Sequence, residues 1–231
     1  MRRLDRAILT SPIFWSSSFM RVTYHPAIFD ITNVEQARKV ILTDEGATTD
    51  ERWNTETPYI ADLMGSLIQI APNSILIDYG CGIGRVAKEL IKRHGCRVIG
   101  VDISENMRAL SVGYVQSNRF LSCSPEMLDA LIERGFVADA ALSIWVLQHC
   151  LKPAEDTDRL RRCLAPGGHL FVLNNIYRAV PTKEVAWVND GLDIKKLLGD
   201  QFSTLQLGKP PEDQTPPGLR DIIFWGLFRK E

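Results

Sequence analysis

The sequence predicts an α/β protein, a doubly wound sheet that is mostly parallel and ends in an antiparallel hairpin. From about residue 74, apolar strand-like runs alternate with amphipathic helical runs, which indicates crossover connections and a parallel sheet. The strand-like runs are continuously apolar, as in strands buried on both faces. Near the end, "FSTLQLG" and "DIIFWGLFRK" flank a proline-rich stretch too short for a helix. These two strands are therefore expected to pair antiparallel.

The five parallel strands and their helices follow one another in a regular order. The predicted strands are "SILID", "CRVIGVDIS", "RFLSC", "ADAALSIWVL" and "HLFVLNN". The helices between them are "GRVAKELIKRHG", "SENMRALSVGYVQS", "SPEMLDALIERG" and "KPAEDTDRLRRCL", and "PGG" forms a turn before the fifth strand. Ser104 is expected to cap one helix, and Pro125 to occupy the first position of another. A further helix, from about Pro58 to Ile70, leads into the first strand.

Residues 1–57 do not fit this alternation. They carry several aromatic residues and a predicted helix near "NVEQARKVIL", and no linker separates them from the rest of the chain. We therefore expect an N-terminal extension over 1–57 that packs on the core or covers the site, and a main domain over 58–231.

Composition limits the classes of partner and compartment. The 231 residues carry a net charge of −1, which gives no broad basic field for a nucleic acid. The five cysteines form no CxxC or CxH spacing, so neither a disulfide framework nor a metal site is expected. In the opening "MRRLDRAILTSPIFWSSSFM", Asp5 and Pro12 interrupt the pattern expected of an export signal. No apolar run in the sequence is long enough to cross a membrane. A cytoplasmic protein is expected, and a homodimer is kept open.

The stretch "ILIDYGCGIGRVAKEL" has the layout of a nucleotide-binding turn, since glycines at alternate positions follow a strand and precede a helix. The dinucleotide fingerprint G-x-G-x-x-G fails because its last position falls on Arg85, and no G-K-[ST] of a P-loop is present. Asp78, two residues before the first glycine, would face a pyrophosphate unfavourably. The ligand is expected to lack phosphate and to carry a positive charge, as a nucleoside with a cationic amino-acid tail does.

Asp102 ends the second predicted strand. An acid at this place can accept hydrogen bonds from both ribose hydroxyls, which again favours a nucleoside. The alternative is an acid that merely stabilises the start of the next helix.

These stretches, with "ADAALSIWVLQHC" and "LAPGGHLFVLN", resemble the class I S-adenosylmethionine-dependent methyltransferases in order over about residues 74–175. The resemblance implies a Rossmann-like, seven-stranded methyltransferase fold, S-adenosyl-L-methionine as cofactor and S-adenosyl-L-homocysteine as product. It places Asp78 near the methionyl amino group, Asp102 on the ribose and Ile103 beside the adenine. The family often has an acid for the adenine amino group where this chain has Ser124. The remaining implied cofactor-binding residues are those of the turn and one at the end of the fourth strand: Gly80, Cys81, Gly82, Gly84 and Trp145.

The methyl acceptor is expected at the carboxyl ends of the later strands, where open α/β sheets bind ligands. His149 is the histidine best placed to act as a general base there, and the alternative is that it caps a loop or contacts the cofactor backbone. The stretch "RWNTETPYI" resembles a segment that closes over the cofactor in many family members. The candidate acceptor-binding residues come from these regions: Trp53, Tyr59, Gln148, Asn174 and Tyr177.

The sequence thus predicts a methyltransferase that acts on an oxygen or nitrogen of a small molecule by in-line displacement. The alternatives are an S-adenosylmethionine-binding regulatory protein without transfer activity and, with less support, a protein N-terminal-type methyltransferase or a nicotinamide-dependent oxidoreductase. No nucleic acid or membrane partner and no metal are expected.

Overall fold

The structure is a computed structural model that describes residues 23–41, 49–184, 187–212, 215 and 219–231. The stretch weighed as an export signal, with its aromatic residues Phe14, Trp15 and Phe19, lies outside the described residues, as do parts of the proline-rich loop.

A seven-stranded sheet forms the centre of the described part of the chain, in the order β3-β2-β1-β4-β5-β9-β8. Strands β1 to β5 are parallel, and β9 runs antiparallel between β5 and β8. The predicted mostly parallel sheet and antiparallel hairpin are therefore confirmed. The strands are Ile75–Tyr79 (β1), Arg97–Val101 (β2), Phe120–Cys123 (β3), Ala138–Ile144 (β4), Leu164–Asn175 (β5), Ser203–Gly208 (β8) and Ile223–Arg229 (β9). A separate small hairpin pairs Val180–Pro181 (β6) with Trp187–Val188 (β7).

Seven α-helices surround the sheet within the described residues. They are Val34–Ile41 (α1), Thr49–Leu67 (α2), Arg85–His94 (α3), Glu105–Val115 (α4), Pro125–Glu133 (α5), Pro153–Cys163 (α6) and Ile194–Gln201 (α7). The hydroxyl of Ser104 accepts from the Met107 amide at 3.2 Å, so the predicted cap of α4 is confirmed.

Two predicted boundaries are wrong. Helix α2 begins at Thr49, not near Pro58, and Pro58 lies inside it. An internal proline costs about 3 kcal/mol, but burial of the Trp53 ring in the preceding turns offsets much of this. Strand β5 begins at Leu164, so the predicted "PGG" turn lies within it, with Gly167 at φ +74°. Because α2 crosses residue 57 without a break, the division into an extension and a main domain stays a prediction.

The sheet separates two apolar clusters, one on each face, and a third small cluster lies above the carboxyl ends of β1 and β2. In the third cluster, Ile31 and Trp53 from the N-terminal region pack on Ile83 of the glycine turn and Met107 of α4. The N-terminal segment therefore reaches over the edge of the sheet where the candidate site lies.

Candidate cofactor and acceptor site

The glycine turn joins β1 to α3, and its three glycines have φ values of +75°, +53° and +81° at Gly80, Gly82 and Gly84. Residues with a side chain adopt this left-handed conformation at a cost. A Cβ at Gly80 would overlap the Val146 side chain, and one at Gly84 would overlap Val115. The turn can therefore be made only with bare backbone at these points.

Several amides of this turn have protein partners. Those of Gly80 and Cys81 donate to the Val101 carbonyl at 2.7 and 3.0 Å, and that of Gly84 donates to the Cys81 carbonyl at 2.8 Å. The Cys81 thiol lies beside Gly100 of β2, so it packs within the sheet. Beside these bonded amides, the turn offers a ligand bare backbone surface.

Asp78 lies at the end of β1 and is only 3% exposed. Its Oδ2 atom is buried without a hydrogen-bond partner. Burial raises the pKa of this carboxyl to about 7, although the Ala87 amide at the start of α3 and the Arg85 charge both lower it. An unpartnered buried carboxylate oxygen is costly, and a cationic group placed against it would remove that cost.

Asp102 follows β2 and holds the two turns of the site together. Its Oδ2 accepts from the Gly82 amide and its Oδ1 from the Ser104 amide, both at 2.9 Å. Burial raises its pKa, and Arg108 opposes this shift. Each carboxylate oxygen can accept a further hydrogen bond, so the acid can still bind a vicinal diol. Next to it, the Ile103 side chain is 53% exposed and offers an apolar contact.

Ser124 follows β3 and its hydroxyl caps α5, where it accepts from the Met127 amide at 3.3 Å. The same oxygen that the resemblance assigned to adenine is therefore engaged in capping. The sequence also allowed the capping role of Ser124, because Pro125 marks the first position of α5 and a serine before that position is a common N-cap.

A buried polar network, which no sequence pattern indicated, joins α2, α3 and the end of β4. Glu56 Oε1 accepts from the Trp145 indole at 2.8 Å and from Arg85 Nη2 at 3.0 Å. Arg85 also donates to the Thr57 hydroxyl at 3.0 Å and lies over the Trp53 ring. Trp53 packs with Ile83 of the glycine turn, and Trp145, which has a positive φ of 61°, is joined to this region through Glu56.

Three candidate residues of the acceptor region are bound to one another. Gln148, which is 5% exposed, accepts the Asn175 amide on Oε1 at 2.8 Å, and its Nε2 lies 3.1 Å from His149 Nε2. Asn174 is fully buried and donates to the Asn175 carbonyl at 2.8 Å. His149 Nδ1 lies 2.6 Å from the Ala179 carbonyl, and burial lowers the pKa of its ring to about 4. These contacts engage both ring nitrogens of His149 and give no support to a base.

The other two acceptor candidates differ in exposure. Tyr177 follows β5 and is 43% exposed, so it is free to meet a ligand. Tyr59 packs against the core, and burial raises the pKa of its hydroxyl, which lies beside the Trp225 indole. Tyr59 therefore has the contacts of a packing residue.

A cap made of residues 23–30, 176–184 and 187–188 lies over the ends of β4 and β5. The sequence led us to expect a covering segment within 1–57, but it did not indicate the part that follows β5. Residues 23–25 pair with 181–183 through the His25 amide on the Pro181 carbonyl and the Lys183 amide on the Thr23 carbonyl, at 3.0 and 3.1 Å. Asp30 accepts from Asn106 at 2.9 Å, beside the turn that contains Asp102. The cap therefore reaches from the Asp102 side of the site to His149.

The described ranges contain neither a candidate metal site nor a helix that could span a membrane. No group of three or more His, Cys, Asp or Glu side chains there could hold a metal ion. No helix in the same ranges has the length and apolar character needed to cross a membrane.

Residues 77–172 match the sequence profile of a family described as "Methyltransferase domain". The chain is 30% identical over 148 residues to the N-demethylindolmycin N-methyltransferase of Streptomyces griseus, an alignment that covers 61% of this chain and 53% of that protein. It is 28% identical over 156 residues to the ubiquinone biosynthesis O-methyltransferase of Caulobacter sp. (strain K31), with 62% of each covered. The chain thus spans less than two thirds of the length of these two curated relatives.

Among solved structures, the fold matches that of magnesium protoporphyrin IX methyltransferase from Synechocystis PCC 6803 with bound SAH. The TM-score is 0.58 at 16% identity, with 86% of this chain and 88% of that chain covered. The sheet order, the glycine turn with an acid on either side and these matches together identify residues 77–172 as a class I S-adenosylmethionine-dependent methyltransferase domain.

Proposed function

We propose that this chain transfers a methyl group from S-adenosyl-L-methionine to an oxygen or nitrogen atom of a small molecule. The observation that carries the proposal is Asp78, whose buried Oδ2 has no protein partner and lies beside a turn of bare backbone. A ligand with an ammonium group and no phosphate suits such a site, because it would pair with this oxygen and needs no free turn amides.

The residues at the site fit the parts of this cofactor. Asp78 would hold the amino group of the methionine part, Asp102 would accept the ribose hydroxyls, and the exposed Ile103 would contact the adenine. Glycine is needed at position 80, because the Val146 side chain already fills the space that a Cβ would take. The bound cofactor would supply a methyl group already activated on a sulfonium, so the chain mainly has to align the acceptor and exclude water.

A small acceptor is supported by the two curated relatives, one named as an N-methyltransferase and the other as an O-methyltransferase. On this chain, the aromatic rings of Phe29 and Trp187 in the cap and the half-exposed Tyr177 would offer flat apolar contacts to such a molecule. The net charge of −1 gives no field that would select a polyanion.

The first experiment is a calorimetric titration of the purified protein with S-adenosylhomocysteine and, separately, with NAD, repeated with Asp102→Ala. We expect saturable binding of S-adenosylhomocysteine alone, weakened roughly tenfold or more by the substitution, since it removes charge-assisted hydrogen bonds. Binding of NAD instead, or of neither compound, would refute the proposed cofactor.

The second experiment tests transfer. The protein is incubated with methyl-labelled S-adenosylmethionine and a panel of small amines, phenols and carboxylic acids, with Asp102→Ala as control. Label transfer that depends on Asp102 supports the methyltransferase. Cofactor binding with no transfer to any member of a broad panel would favour the regulatory alternative.

A further inference from the structure

We infer that His149 is a positioning residue: a neutral imidazole that fastens the cap of residues 23–30, 176–184 and 187–188 over the ends of β4 and β5. This inference rests on the proposed function, because the fastened cap would shape the acceptor side of the site. It assigns His149 a role different from that of the general base.

The hydrogen bonds determine which nitrogen carries the proton. The Asn175 amide can only donate, so the Gln148 atom that it meets at 2.8 Å must be the oxygen Oε1. The other end of the Gln148 side chain is then an amide NH₂ group, which donates to His149 Nε2 at 3.1 Å. His149 Nε2 is therefore an acceptor and carries no proton.

The second ring nitrogen completes this chain. The Ala179 carbonyl can only accept, so His149 Nδ1 carries the proton and donates to it at 2.6 Å. Backbone groups at both ends, the Asn175 amide and the Ala179 carbonyl, thus fix the same tautomer. A proton on His149 Nε2 would point at the Gln148 NH₂ group, so that two donors would face each other inside the protein. Burial also lowers the pKa of the ring, which again favours the neutral form.

The same ring connects three segments that are distant in the sequence. The ring packs against Phe29, with ring centroids 5.5 Å apart, and against Trp187, with centroids 4.9 Å apart. The Ala179 amide donates back to the Gln148 carbonyl at 2.8 Å, which makes the attachment reciprocal. Loss of the imidazole would therefore release the aromatic rings and one hydrogen bond of the cap at once, while the sheet keeps its own contacts.

The cap also reaches the cofactor side. Asp30 accepts from Asn106 at 2.9 Å, and the neighbouring Ser104 amide donates to Asp102. A cap fastened at His149 thus places Phe29 and Asp30 between the acid for the ribose and the end of β4. Its position would decide how an acceptor approaches the methyl group.

The first test is spectroscopic. The ¹⁵N signals of the four histidine side chains are recorded for the wild type and for His149→Asn, which identifies the signal of His149. We expect a neutral ring with the proton on Nδ1 that persists down to about pH 5, well below the ordinary histidine range. A protonated ring at about pH 6, or a proton on Nε2, would overturn the inference.

The second test is hydrogen exchange measured by mass spectrometry. In His149→Ala, peptides from 23–33 and 176–184 should exchange about tenfold faster or more, while those from β1 to β5 keep their rates. His149→Asn should restore part of the protection, because its amide can still donate to the Ala179 carbonyl. The matched control is His25→Asn, which changes the same residue type inside the cap at a position where the backbone amide makes the bond.

Unchanged exchange in both His149 variants would overturn the inference. S-adenosylhomocysteine binding is measured on the same samples to separate the two proposals. If the wild type does not bind it, the proposed function fails whatever the exchange shows. If binding persists and exchange does not respond, the positioning role alone fails.

Discussion

The proposed cofactor half and the proposed acceptor half of the site use polar residues in opposite ways. In the cofactor half, built on β1 and β2, Asp78 leaves a buried oxygen unpartnered and Asp102 keeps spare acceptor capacity. In the acceptor half, built on β4, β5 and the cap, Gln148, His149 and Asn174 bind one another and the backbone. The first half keeps its polar groups ready for a ligand, and the second uses them to hold its own shape.

This difference explains why a short sequence motif describes one half and not the other. The cofactor half depends on a turn of a few consecutive residues, so its glycines and acids lie at readable spacings. The acceptor half is assembled from residues near 25, 149 and 180, which only the folded chain brings together. A polar residue there has no local pattern that tells a ligand contact from a packing contact.

The largest expected effect is that of Gly80→Ala, which places a side chain on the backbone of the glycine turn in the cofactor half. The new Cβ would overlap Val146, and the residue would have to keep a positive φ, which together should cost about 2–5 kcal/mol of unfolding free energy. Chemical denaturation measures this loss of stability, and titration with S-adenosylhomocysteine measures the accompanying loss of binding. The control is Gly113→Ala in α4, where nothing lies within 4 Å of the new Cβ and stability should rise slightly. Equal behaviour of the two variants would show that the turn tolerates a side chain.

Next in size is Asp102→Asn, which keeps the shape of the acid and removes its charge. Binding of S-adenosylhomocysteine should weaken about 10–100-fold, because charge-assisted hydrogen bonds to hydroxyls become neutral ones and one acceptor oxygen is lost. Asp30→Asn, at the cap side of the same region, should change binding by less than about threefold, since its bond to Asn106 is exposed. A larger loss at Asp30 than at Asp102 would reverse the comparison between the two halves.

The third prediction concerns pH and Asp78. The pKa of its carboxyl in the folded, ligand-free chain is about 7, raised above the ordinary value of 3.8 by burial. Pairing with an ammonium group requires the ionised form, so wild-type affinity for S-adenosylhomocysteine should fall by up to about tenfold per pH unit below 7 and level off above it. Asp78→Asn should bind more weakly at high pH and lose this dependence. The affinity is measured by calorimetry at several pH values. A wild-type affinity that does not change with pH would contradict this prediction.

The same raised pKa affects stability without ligand. Burial of the Asp78 carboxyl lowers the free energy of unfolding only where the group would be ionised in the unfolded chain. Below about pH 4 the carboxyl is protonated in the folded and the unfolded state, so there is no loss of stability, and the loss grows as pH rises to about 7. Asp78→Asn should therefore raise the melting temperature of the ligand-free protein at about pH 8 and change it less at about pH 4.

The smallest expected effect is that of Ser124→Ala. Loss of the cap of α5 should cost about 1 kcal/mol of stability, with little change in S-adenosylhomocysteine binding, because the hydroxyl already accepts the Met127 amide. Ser104→Ala removes the equivalent cap of α4 and is the matched comparison. If Ser124→Ala weakened binding several-fold and Ser104→Ala did not, the adenine role of Ser124 would stand.

Most of the sheet was predictable because its strands are continuous apolar runs punctuated by caps and glycines. The start of α2 was not, since Pro58 is a strong local stop signal and only the burial of Trp53 against Ile83 and Met107 overrides it. The network of Glu56, Arg85 and Trp145 was equally hidden, because its members lie on three separate elements. Local patterns indicate elements and turns, whereas partners across the fold come from packing.

The position of β9 has a consequence for the order in which the chain is made. Strand β9 lies inside the sheet, hydrogen-bonded to β5 on one side and β8 on the other, and most of its residues are buried. During synthesis, β5 emerges from the ribosome long before β9, so its apolar edge stays open while the intervening residues are added. An arrest of translation or a proteolytic cut within this interval would leave an exposed strand edge. Such fragments should require a chaperone to stay unaggregated, although the full-length sheet does not present that edge.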